Sequence, residues 1–463
     1  MNLNGKHVLV LGLGESGLAS ALWCARQGAR VRVADTRAAP PYLAELRRRA
    51  PSADFRSGEF DKALLDGIDL LVLSPGLSGG LMVVIHARAA GIPVVGEIEL
   101  FAQALRRLGS VPLLAITGTN GKTTTTALTG HLLRATGKTV GVAGNISPAA
   151  LTALMDAQDA NALPRIWVLE LSSFQLETTE TLYPAAATVL NISDDHLDRY
   201  IDLDEYASAK ARIFRSAEGA PGVQVLNRGD GRVRRMALAD RHLITFGLDA
   251  PAAAEDFGLR MNRGEAWIVQ GEIFLLPVSE LPLAGLHNAA NAMAALALCV
   301  SLGFDANALL PALRSFRGLP HRVEKVAELD GVTWYDDSKG TNVGATVAAL
   351  TGLGGLGRKV VVILGGDGKG QDFSPLKKAV ARHARAAVLI GRDGPLIEKA
   401  IGGGVSMETA TDMNDAVRRA RALAQSGDAV LLSPACASFD MFRNYEHRAQ
   451  AFVAAVHALE HIA

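Results

Sequence analysis

One run of the sequence, Thr117-Gly118-Thr119-Asn120-Gly121-Lys122-Thr123, has the residue types of a phosphate-binding loop. In such a loop the backbone amides surround phosphates, the lysine reaches the β- and γ-phosphates, and the threonine hydroxyl binds Mg²⁺. Ile116 stands where the full pattern has glycine, so only the lysine-containing half is intact. The run predicts a nucleoside triphosphate site, and a chance Gly-Lys-Thr turn is the weaker alternative.

A second glycine-rich turn, Gly12-Leu13-Gly14-Glu15-Ser16-Gly17, follows a short apolar run, and Asp35 ends the next apolar run. Glycines at this spacing let a pyrophosphate approach a helix N-terminus, and the acidic residue then contacts a ribose or base edge. This turn alone is typical of a nicotinamide dehydrogenase, and a packing turn without a ligand is another interpretation. Two phosphate motifs in one chain favour two phosphorylated ligands.

Two further residues that can bind a metal follow predicted strands. Glu170 ends the apolar run 166–169, and His196 follows the run 187–192. Ligands of open α/β sheets gather at the carboxyl ends of strands, so both side chains are expected to face the phosphate-binding loop and complete a Mg²⁺ site with Thr123. A capping or core histidine is the alternative for His196.

Lys210 lies within the predicted helix 203–214, on the same stripe as the apolar residues Leu203, Tyr206, Ile213 and Phe214. This spacing predicts a buried lysine with a lowered pKa. A neutral amine can react with carbon dioxide to give a carbamate, which would act as an additional carboxylate. A lysine that extends its ammonium group to the surface is the alternative interpretation.

A third group of polar residues lies in the last third of the chain. Arg322 follows a turn and offers a bidentate fork for phosphate, and Tyr335-Asp336-Asp337-Ser338-Lys339 ends the predicted strand 332–335. Lys369 and Ser438 again follow apolar runs, so they are candidates to hold a small anion. Ordinary loop residues are the alternative for this whole group.

The elements that must position these residues alternate between short apolar runs and longer Ala- and Leu-rich stretches. This alternation is typical of βα units and parallel sheets. We predict three α/β domains: a Rossmann-like domain over residues 1–109, a central P-loop domain over 110–317 and a Rossmann-like domain over 318–463. Within 223–283 the short pieces 243–246, 266–269 and 272–276 predict a small antiparallel edge on the central domain.

Composition restricts the class of protein. The 463 residues are 49% hydrophobic, and Lys+Arg and Asp+Glu number 47 each, so a large core is expected and no basic surface for nucleic acid is indicated. Three distant cysteines exclude a disulfide framework, and no apolar run approaches the ~18 residues needed to cross a bilayer. We expect a monomeric cytoplasmic protein without membrane insertion.

Together these motifs resemble the Mur ligases, and the resemblance runs through all three domains. It rests on 12–17 with Asp35-Thr36-Arg37, Ser74-Pro75-Gly76, 118–123, Gly144-Asn145-Ile146, 170–175, 195–200, His287-Asn288, 318–322, 337–342 and 433–438. The resemblance implies ATP-dependent addition of D-glutamate to UDP-N-acetylmuramoyl-L-alanine through an acyl phosphate, in peptidoglycan precursor synthesis. The residues that depart from the pattern are Ser147, where glycine is common, and Tyr445, where phenylalanine is expected.

The resemblance also implies a role for each matching residue. For ATP it implies Gly118, Thr119, Asn120, Gly121, Lys122, Thr123, Thr124, Asn288, His321, Arg322 and Asp337. For the UDP-sugar it implies Ser16, Asp35, Thr36, Arg37, Ser74, Pro75, Gly76, Asn145, Gln175 and His196. For D-glutamate it implies Lys339, Thr341, Lys369, Ser438 and Tyr445. For Mg²⁺ it implies Thr123, Glu170, His196 and carbamylated Lys210, and the catalytic set is Lys122, Asn145, Glu170, His196 and Lys210.

Three other functions stay open on the sequence. A sister ligase for another amino acid, or a folylpolyglutamate synthase, would share the ATP site. A non-enzymatic protein switched by nucleotide could be built on the same domains. A nicotinamide dehydrogenase would use the first glycine-rich turn but would not need the second phosphate motif.

Overall fold

The computed structural model describes residues 1–109, 111–195, 199–216, 222–355 and 357–460. Within these residues the strands form three sheets, of five, nine and six strands in chain order. The predicted three-domain α/β architecture is confirmed. The boundaries at 109/110 and 317/318 stay predictions. None of the described helices combines the length and apolar character that a membrane span requires.

The first sheet is parallel throughout. Its strands are β1 (His7–Leu11), β2 (Arg30–Asp35), β3 (Asp54–Ser57), β4 (Leu70–Leu73) and β5 (Val94–Val95), in the order β3-β2-β1-β4-β5. Its helices are α1 (Glu15–Arg26), α2 (Leu43–Arg49), α3 (Met82–Ala89) and α4 (Glu97–Leu108), with a 3₁₀ turn at Lys62–Leu65. Strand order reverses between β1 and β4, so a ligand crevice is expected where the turns after these two strands meet.

The middle sheet carries the phosphate-binding loop. Its strands are β6 (Leu113–Thr117), β7 (Val140–Gly144), β8 (Ile166–Glu170), β9 (Ala186–Val189), β10 (Val223–Asn227), β11 (Leu243–Phe246), β12 (Phe257–Asn262), β13 (Glu265–Gln270) and β14 (Ile273–Pro277). Their order is β14-β13-β12-β11-β10-β9-β6-β8-β7. The helices are α5 (Lys122–Ala135), α6 (Ala150–Asp159), α7 (Ser173–Glu177), α8 (Leu203–Ala211), α9 (Gly231–Arg234), α10 (Leu286–Val300) and α11 (Ala306–Ser315), with 3₁₀ turns at Arg212–Phe214 and Val278–Glu280.

The antiparallel edge has three strands, as predicted, but one of them is a different segment. Strand β13 pairs antiparallel with both β12 and β14, whereas β11 pairs in parallel with both β10 and β12. Assigning 243–246 to the antiparallel edge was therefore wrong. The physical reason is that β10 and β11 are joined through α9, and a crossover of this kind returns the chain in the same direction.

The third sheet is parallel apart from its first strand. Its strands are β15 (Glu324–Leu329), β16 (Val332–Asp336), β17 (Val360–Gly365), β18 (Ala384–Ile390), β19 (Ser406–Thr409) and β20 (Ala429–Leu432), in the order β15-β16-β20-β17-β18-β19. Its helices are α12 (Val343–Gly354), α13 (Ser374–His383), α14 (Gly394–Ile401), α15 (Met413–Leu423) and α16 (Tyr445–Glu460).

The first two sheets share one apolar core. Buried residues of β1 and α4 pack in the same cluster as Trp167 of β8 and Tyr206 of α8. Phe101 of α4 meets Trp167 edge-on, with 5.1 Å between the ring centroids. The apolar clusters on the third sheet consist almost entirely of its own residues. Continuous packing therefore joins the first two sheets, whereas the third sheet meets them mainly through polar contacts.

Candidate active site

The phosphate-binding loop connects β6 to α5, as the strand-turn-helix pattern predicts. Gly121 precedes α5 in the left-handed conformation, with φ of 84°, and a Cβ there would collide with the amide of Asn291. The Asn120 amide donates to Oδ1 of Asn191 at 2.8 Å, and Asn191 Nδ2 donates to the Asn120 carbonyl at 3.0 Å. These contacts fix the phosphate-binding loop to the segment that follows β9, the strand next to β6.

Lys122 lies over its own loop. Its Nζ donates to the carbonyls of Gly118 and Thr119, at 3.0 and 2.8 Å. Burial lowers the pKa of this ammonium, and the nearby carboxylates of Glu170 and Asp195 oppose that shift. A cation at this position is suited to charge that develops on a transferred phosphoryl group.

Glu170 lies next to this loop because β8 is the neighbour of β6 in the sheet. Ile116 of β6 and Gly144 of β7 are both in register with Glu170. Its carboxylate is 2% exposed, and Oε1 accepts a hydrogen bond from Asn145 Nδ2 at 2.8 Å. Among the described residues, Oε2 is buried without a hydrogen-bond partner.

This unpaired oxygen suits a divalent cation, since burying a carboxylate oxygen without a partner is costly. With the hydroxyl of Thr123 at the start of α5, it offers the oxygen ligands that Mg²⁺ prefers. The residues present therefore fit the predicted metal. His196, also predicted as a metal ligand and as a residue of the UDP-sugar site, lies outside the described residues.

Lys210 is buried, as its helical spacing predicts, with 1% of its surface exposed. Burial holds the pKa of its amine well below the ordinary value, and the positive charge of Lys122 lowers it further. Its Nζ lies 3.4 Å from Thr117 Oγ1 and 4.5 Å from the centre of the Tyr206 ring. The side chain is therefore buried beside the phosphate-binding loop, with the pKa of its amine lowered.

The third domain reaches the loop through Arg322. Its Nη2 donates to Oγ1 of Thr123 at 2.8 Å. His321 Nδ1 lies 2.7 Å from Oδ2 of Asp336, at the end of β16. Asp337 is buried, which raises the pKa of its carboxyl to about 7 although Ser433 Oγ donates to it at 2.6 Å. The polar ends of β6 and β16 thus face each other across the domain boundary.

His321, Asp336 and Glu324 also form a compact group of their own. One ligand atom from each lies within 4.8 Å of the others. The His321 amide donates to Glu324, and Ser338 donates to Asp336 through its amide and its hydroxyl. Hydrogen bonds within the protein account for this cluster without a metal ion.

The residues predicted around D-glutamate lie at the carboxyl edge of the third sheet, four of them on loops and Tyr445 at the start of α16. Lys339 Nζ is 4.0 Å from the centre of the Tyr445 ring, so these two predicted residues are in contact. The Thr341 amide donates to the Lys339 carbonyl at 2.9 Å. Ser438 is buried, and Lys369 has a left-handed backbone with φ of 51°. The structure brings Lys339, Thr341 and Tyr445 together.

The first glycine-rich turn meets the turn after β4 at the crevice of the first sheet. Ser74 Oγ donates to the Gly12 carbonyl at 2.9 Å. The carboxylate of Asp35 accepts two bonds from the Arg37 guanidinium, both 2.8 Å, and these bonds lower the pKa of Asp35 to about 2. Thr36 lies between these residues, Ser16 lies in the first turn of α1, and Pro75 and Gly76 follow Ser74.

Residues of the middle domain border this crevice. Arg199 donates to the Pro75 carbonyl at 3.0 Å and to Glu177 at 2.9 Å. Gln175, predicted for the sugar end, takes part in a capping box with Ser172 at the start of α7.

Of the predicted ATP residues, Asn288 accepts a hydrogen bond from Asn291, which packs against Gly121 of the phosphate-binding loop.

Sequence reasoning missed several residues that shape the site. They are Asn191, Arg199, Tyr206 and Asn291, which contact the phosphate-binding loop or the first crevice. The spacing of Asn291 was a usable signal, because it lies three residues after Asn288 and therefore on the same helix face.

Comparisons with known proteins agree with this geometry. The family described as "Mur ligase MurD-like, N-terminal domain" matches residues 6–96, "Mur ligase middle domain" matches 116–299, and "Mur ligase, glutamate ligase domain" matches 321–436. A UDP-N-acetylmuramoylalanine--D-glutamate ligase from Aromatoleum aromaticum is 60% identical, with 99% of each chain covered. A relative of the same name from Nitrosospira multiformis is 55% identical over 99% of this chain and 97% of its own.

Solved structures show the same fold at low identity. MurF from Acinetobacter baumannii has a TM-score of 0.59 at 17% identity, with 97% of this chain and 91% of that chain covered. UDP-N-acetylmuramate-alanine ligase MurC from Thermotoga maritima has a TM-score of 0.58 at 21% identity, with 98% and 99% covered. Because the relatives match over nearly the whole chain and all three domain families are present, this chain belongs to the Mur ligase family.

Proposed function

We propose that this chain uses ATP to join D-glutamate to UDP-N-acetylmuramoyl-L-alanine, a step in the synthesis of peptidoglycan precursors. The observation that carries the proposal is the buried group beside the phosphate-binding loop, in which the unpaired Glu170 oxygen and the amine of Lys210 accompany Lys122. The names of the relatives supply the substrates.

The chemistry proceeds in two steps. A carboxylate oxygen of the alanyl end attacks the γ-phosphorus of ATP, forming an acyl phosphate and releasing ADP. The deprotonated amine of D-glutamate then attacks the carbonyl carbon, the amide bond forms and phosphate leaves. Because a carboxylate is a poor electrophile at neutral pH, phosphorylation supplies the leaving group that the second step needs.

Phosphoryl transfer asks the protein mainly for positioning and for stabilisation of charge. In the proposed complex Lys122 and Arg322 neutralise charge on the transferring phosphoryl group. The remaining ATP contacts come from Gly118, Thr119, Asn120, Gly121, Thr123, Thr124, Asn288, His321 and Asp337. The contact between Arg322 and Thr123 supports this assignment, since it joins the third domain to the phosphate-binding loop.

Thr123 and Glu170 would hold Mg²⁺, together with His196 and a carbamate on Lys210. When bound, the cation would neutralise phosphate oxygens and lower the charge that the attacking carboxylate meets. Asn145 orients the metal-facing carboxylate through its bond to Glu170 Oε1. The burial of Lys210 and the lowered pKa of its amine support carbamate formation.

The remaining substrates bind on either side of this centre. Ser16, Asp35, Thr36, Arg37, Ser74, Pro75 and Gly76 would hold the uridine diphosphate, and Asn145, Gln175 and His196 the muramoyl-alanine end. Lys339, Thr341, Lys369, Ser438 and Tyr445 would surround D-glutamate, and the Lys339–Tyr445 contact supports this. We also propose that the protein acts as a monomer in the cytoplasm.

Phosphate release tests the reaction directly. The protein is mixed with UDP-N-acetylmuramoyl-L-alanine, ATP, Mg²⁺ and each amino acid of a panel. We expect release above background only with D-glutamate. Release with another amino acid, or with a folate substrate in place of the sugar nucleotide, would instead support a sister ligase or a folylpolyglutamate synthase.

Two variants separate a ligase from a nucleotide-switched binding protein. Lys122→Ala should reduce turnover by roughly 10²–10³-fold, because it removes a preorganised cation from the transferring phosphoryl group. Lys138→Ala, which changes an exposed lysine just after α5, is the matched control and should retain activity. Lys210→Ala should also abolish ligation, whereas a switch would lose its nucleotide response mainly through Lys122.

A further inference from the structure

Glu15 lies within the first glycine-rich turn, and its carboxylate contacts the middle domain. Its Oε1 accepts hydrogen bonds from Ser147 Oγ at 2.8 Å and from the Ala149 amide at 3.0 Å. Both donors belong to the middle domain. A carboxylate aimed into a diphosphate site would repel the ligand, so this contact also keeps the negative charge away from it.

The donors lie on the loop 144–149, which joins β7 to α6. Asn145 and Ser147 are exposed, so this loop has little side-chain packing of its own. One side of it is held by β8, because the Asn145 amide donates to the Glu170 carbonyl at 2.8 Å and Asn145 Nδ2 donates to Glu170 Oε1. Glu15 holds the other side.

A second carboxylate of the first domain supports the same segment. Ala149, the residue before α6, provides no side-chain cap. Glu97 at the start of α4 accepts the Leu151 amide at 2.6 Å. Two amide donors at the start of α6 therefore find carboxyl acceptors on the first domain, as the unpaired N–H groups of a helix start require.

We propose that Glu15 is a positioning residue for ligation, which holds the loop 144–149, and with it Asn145, at a set distance from the diphosphate turn. The inference rests on the proposed function, in which the turn binds one end of the sugar nucleotide and Asn145 lines the reacting end. The substrate spans both places, so the loop position determines how closely its carboxylate approaches the γ-phosphate. Small displacements of reacting atoms are costly in rate.

The test compares Glu15→Ala, Glu15→Gln and wild type in the phosphate-release assay, with free UDP as a separate binding probe. We expect Glu15→Ala to lower kcat about tenfold, while the Kd for UDP changes less than about twofold. Glu15→Gln should recover most of the activity, because its amide oxygen can accept both hydrogen bonds. Unchanged kcat in Glu15→Ala, or UDP affinity that falls in parallel with kcat, would overturn the proposal.

The matched control is Arg26→Ala. Arg26 ends α1, the helix that Glu15 begins, and pairs with Asp159 at the far end of α6 at 2.6 Å. This variant loosens the same two helices away from the crevice, so kcat should stay close to wild type. An equal loss in Arg26→Ala would show that Glu15 acts only through general contact between the domains.

A readout without turnover keeps the inference separate from the reaction. Amide hydrogen exchange at residues 145–151 should be about tenfold faster in Glu15→Ala than in wild type, and unchanged in Arg26→Ala. If wild type released no phosphate, the proposed function would fail. The hydrogen-exchange comparison would still show whether Glu15 holds the loop 144–149 in place. If Glu15→Ala does not fold, Ser147→Ala removes one of the two bonds and should lower kcat by a smaller factor; unchanged exchange and kcat would contradict the proposal.

Discussion

Arg322 Nη2 donates a hydrogen bond to Thr123 Oγ1 at 2.8 Å, although the two residues are 199 positions apart in the chain. The contact joins the turn before the third sheet to the first turn of α5. It brings a guanidinium cation of the third domain to the phosphate-binding loop. This geometry makes Arg322 a candidate to stabilise negative charge on the phosphoryl group during its transfer.

Replacing Arg322 with lysine keeps the charge but removes the planar fork of N–H donors. We expect kcat for phosphate release to fall about 10²-fold, because a single ammonium cannot make two parallel contacts to phosphate oxygens. Arg317→Lys, an exposed position just upstream, is the control and should behave as wild type. Equal rates for Arg322→Lys and wild type would remove Arg322 from the ATP site.

Lys210 should carry a carbamate when carbon dioxide is present. The unprotonated form of its amine would attack CO₂, a nitrogen–carbon bond would form and a proton would be released, leaving a negative group beside the predicted metal ligands. A carbamate signal from ¹³C-labelled bicarbonate is expected in wild type and not in Lys210→Ala. Activity of Lys210→Ala should recover partly with acetate; full activity without any added acid would contradict the assignment.

Glu97 and Glu99 begin the same helix, yet they should respond to pH with opposite sign. Burial raises the pKa of Glu97 to about 7, so the folded protein holds this proton more tightly than the unfolded chain does. Its contribution to stability is therefore lost as pH rises from about 4 through about 7. Glu97→Gln should raise Tm at pH 8 and leave it nearly unchanged at pH 5.

Glu99 is the matched opposite case. Burial opposes its ionisation, but hydrogen bonds from Thr181 and Gln103, and from the amide of Glu180, bring the pKa below the ordinary value. Its stabilisation is present above the unfolded pKa and is lost as pH falls through the folded value. Glu99→Gln should therefore lower Tm at pH 8, and thermal unfolding of the two variants at both pH values checks the signs. A common sign would contradict them.

Asp35 should contribute to UDP binding through its negative charge and its hydrogen bonds with Arg37. Because the Arg37 bonds lower the pKa of Asp35 to about 2, the carboxylate stays ionised from pH 5 to pH 9. We expect Asp35→Asn to weaken UDP binding about tenfold, by calorimetry, through loss of the charge-assisted bonds. Arg30→Ala, exposed on the same strand, serves as the control. Unchanged affinity in Asp35→Asn would place UDP elsewhere.

Many residues of the candidate site could be predicted from local sequence patterns. The two glycine-rich turns, the acidic residue ending β8 and the apolar stripe around Lys210 each report on a turn or on one helix face, and such features depend on residues close in the chain. The burial of Lys210 is therefore confirmed, as is the three-domain α/β architecture. The direction of the strand Leu243–Phe246 could not be predicted, because a short apolar run is compatible with both parallel and antiparallel pairing.

Only the tertiary structure determined the contacts between residues that are far apart in the chain. The Arg322–Thr123 bond, the placement of Asn291 against Gly121 and the bonds from Ser147 and Ala149 to Glu15 all depend on strand order and on how the domains pack. Residue type and spacing determined that this chain carries a phosphate-binding loop and a dinucleotide-type turn. Long-range packing determined which side chains serve each of them, because side chains meet across a sheet edge irrespective of their separation in sequence.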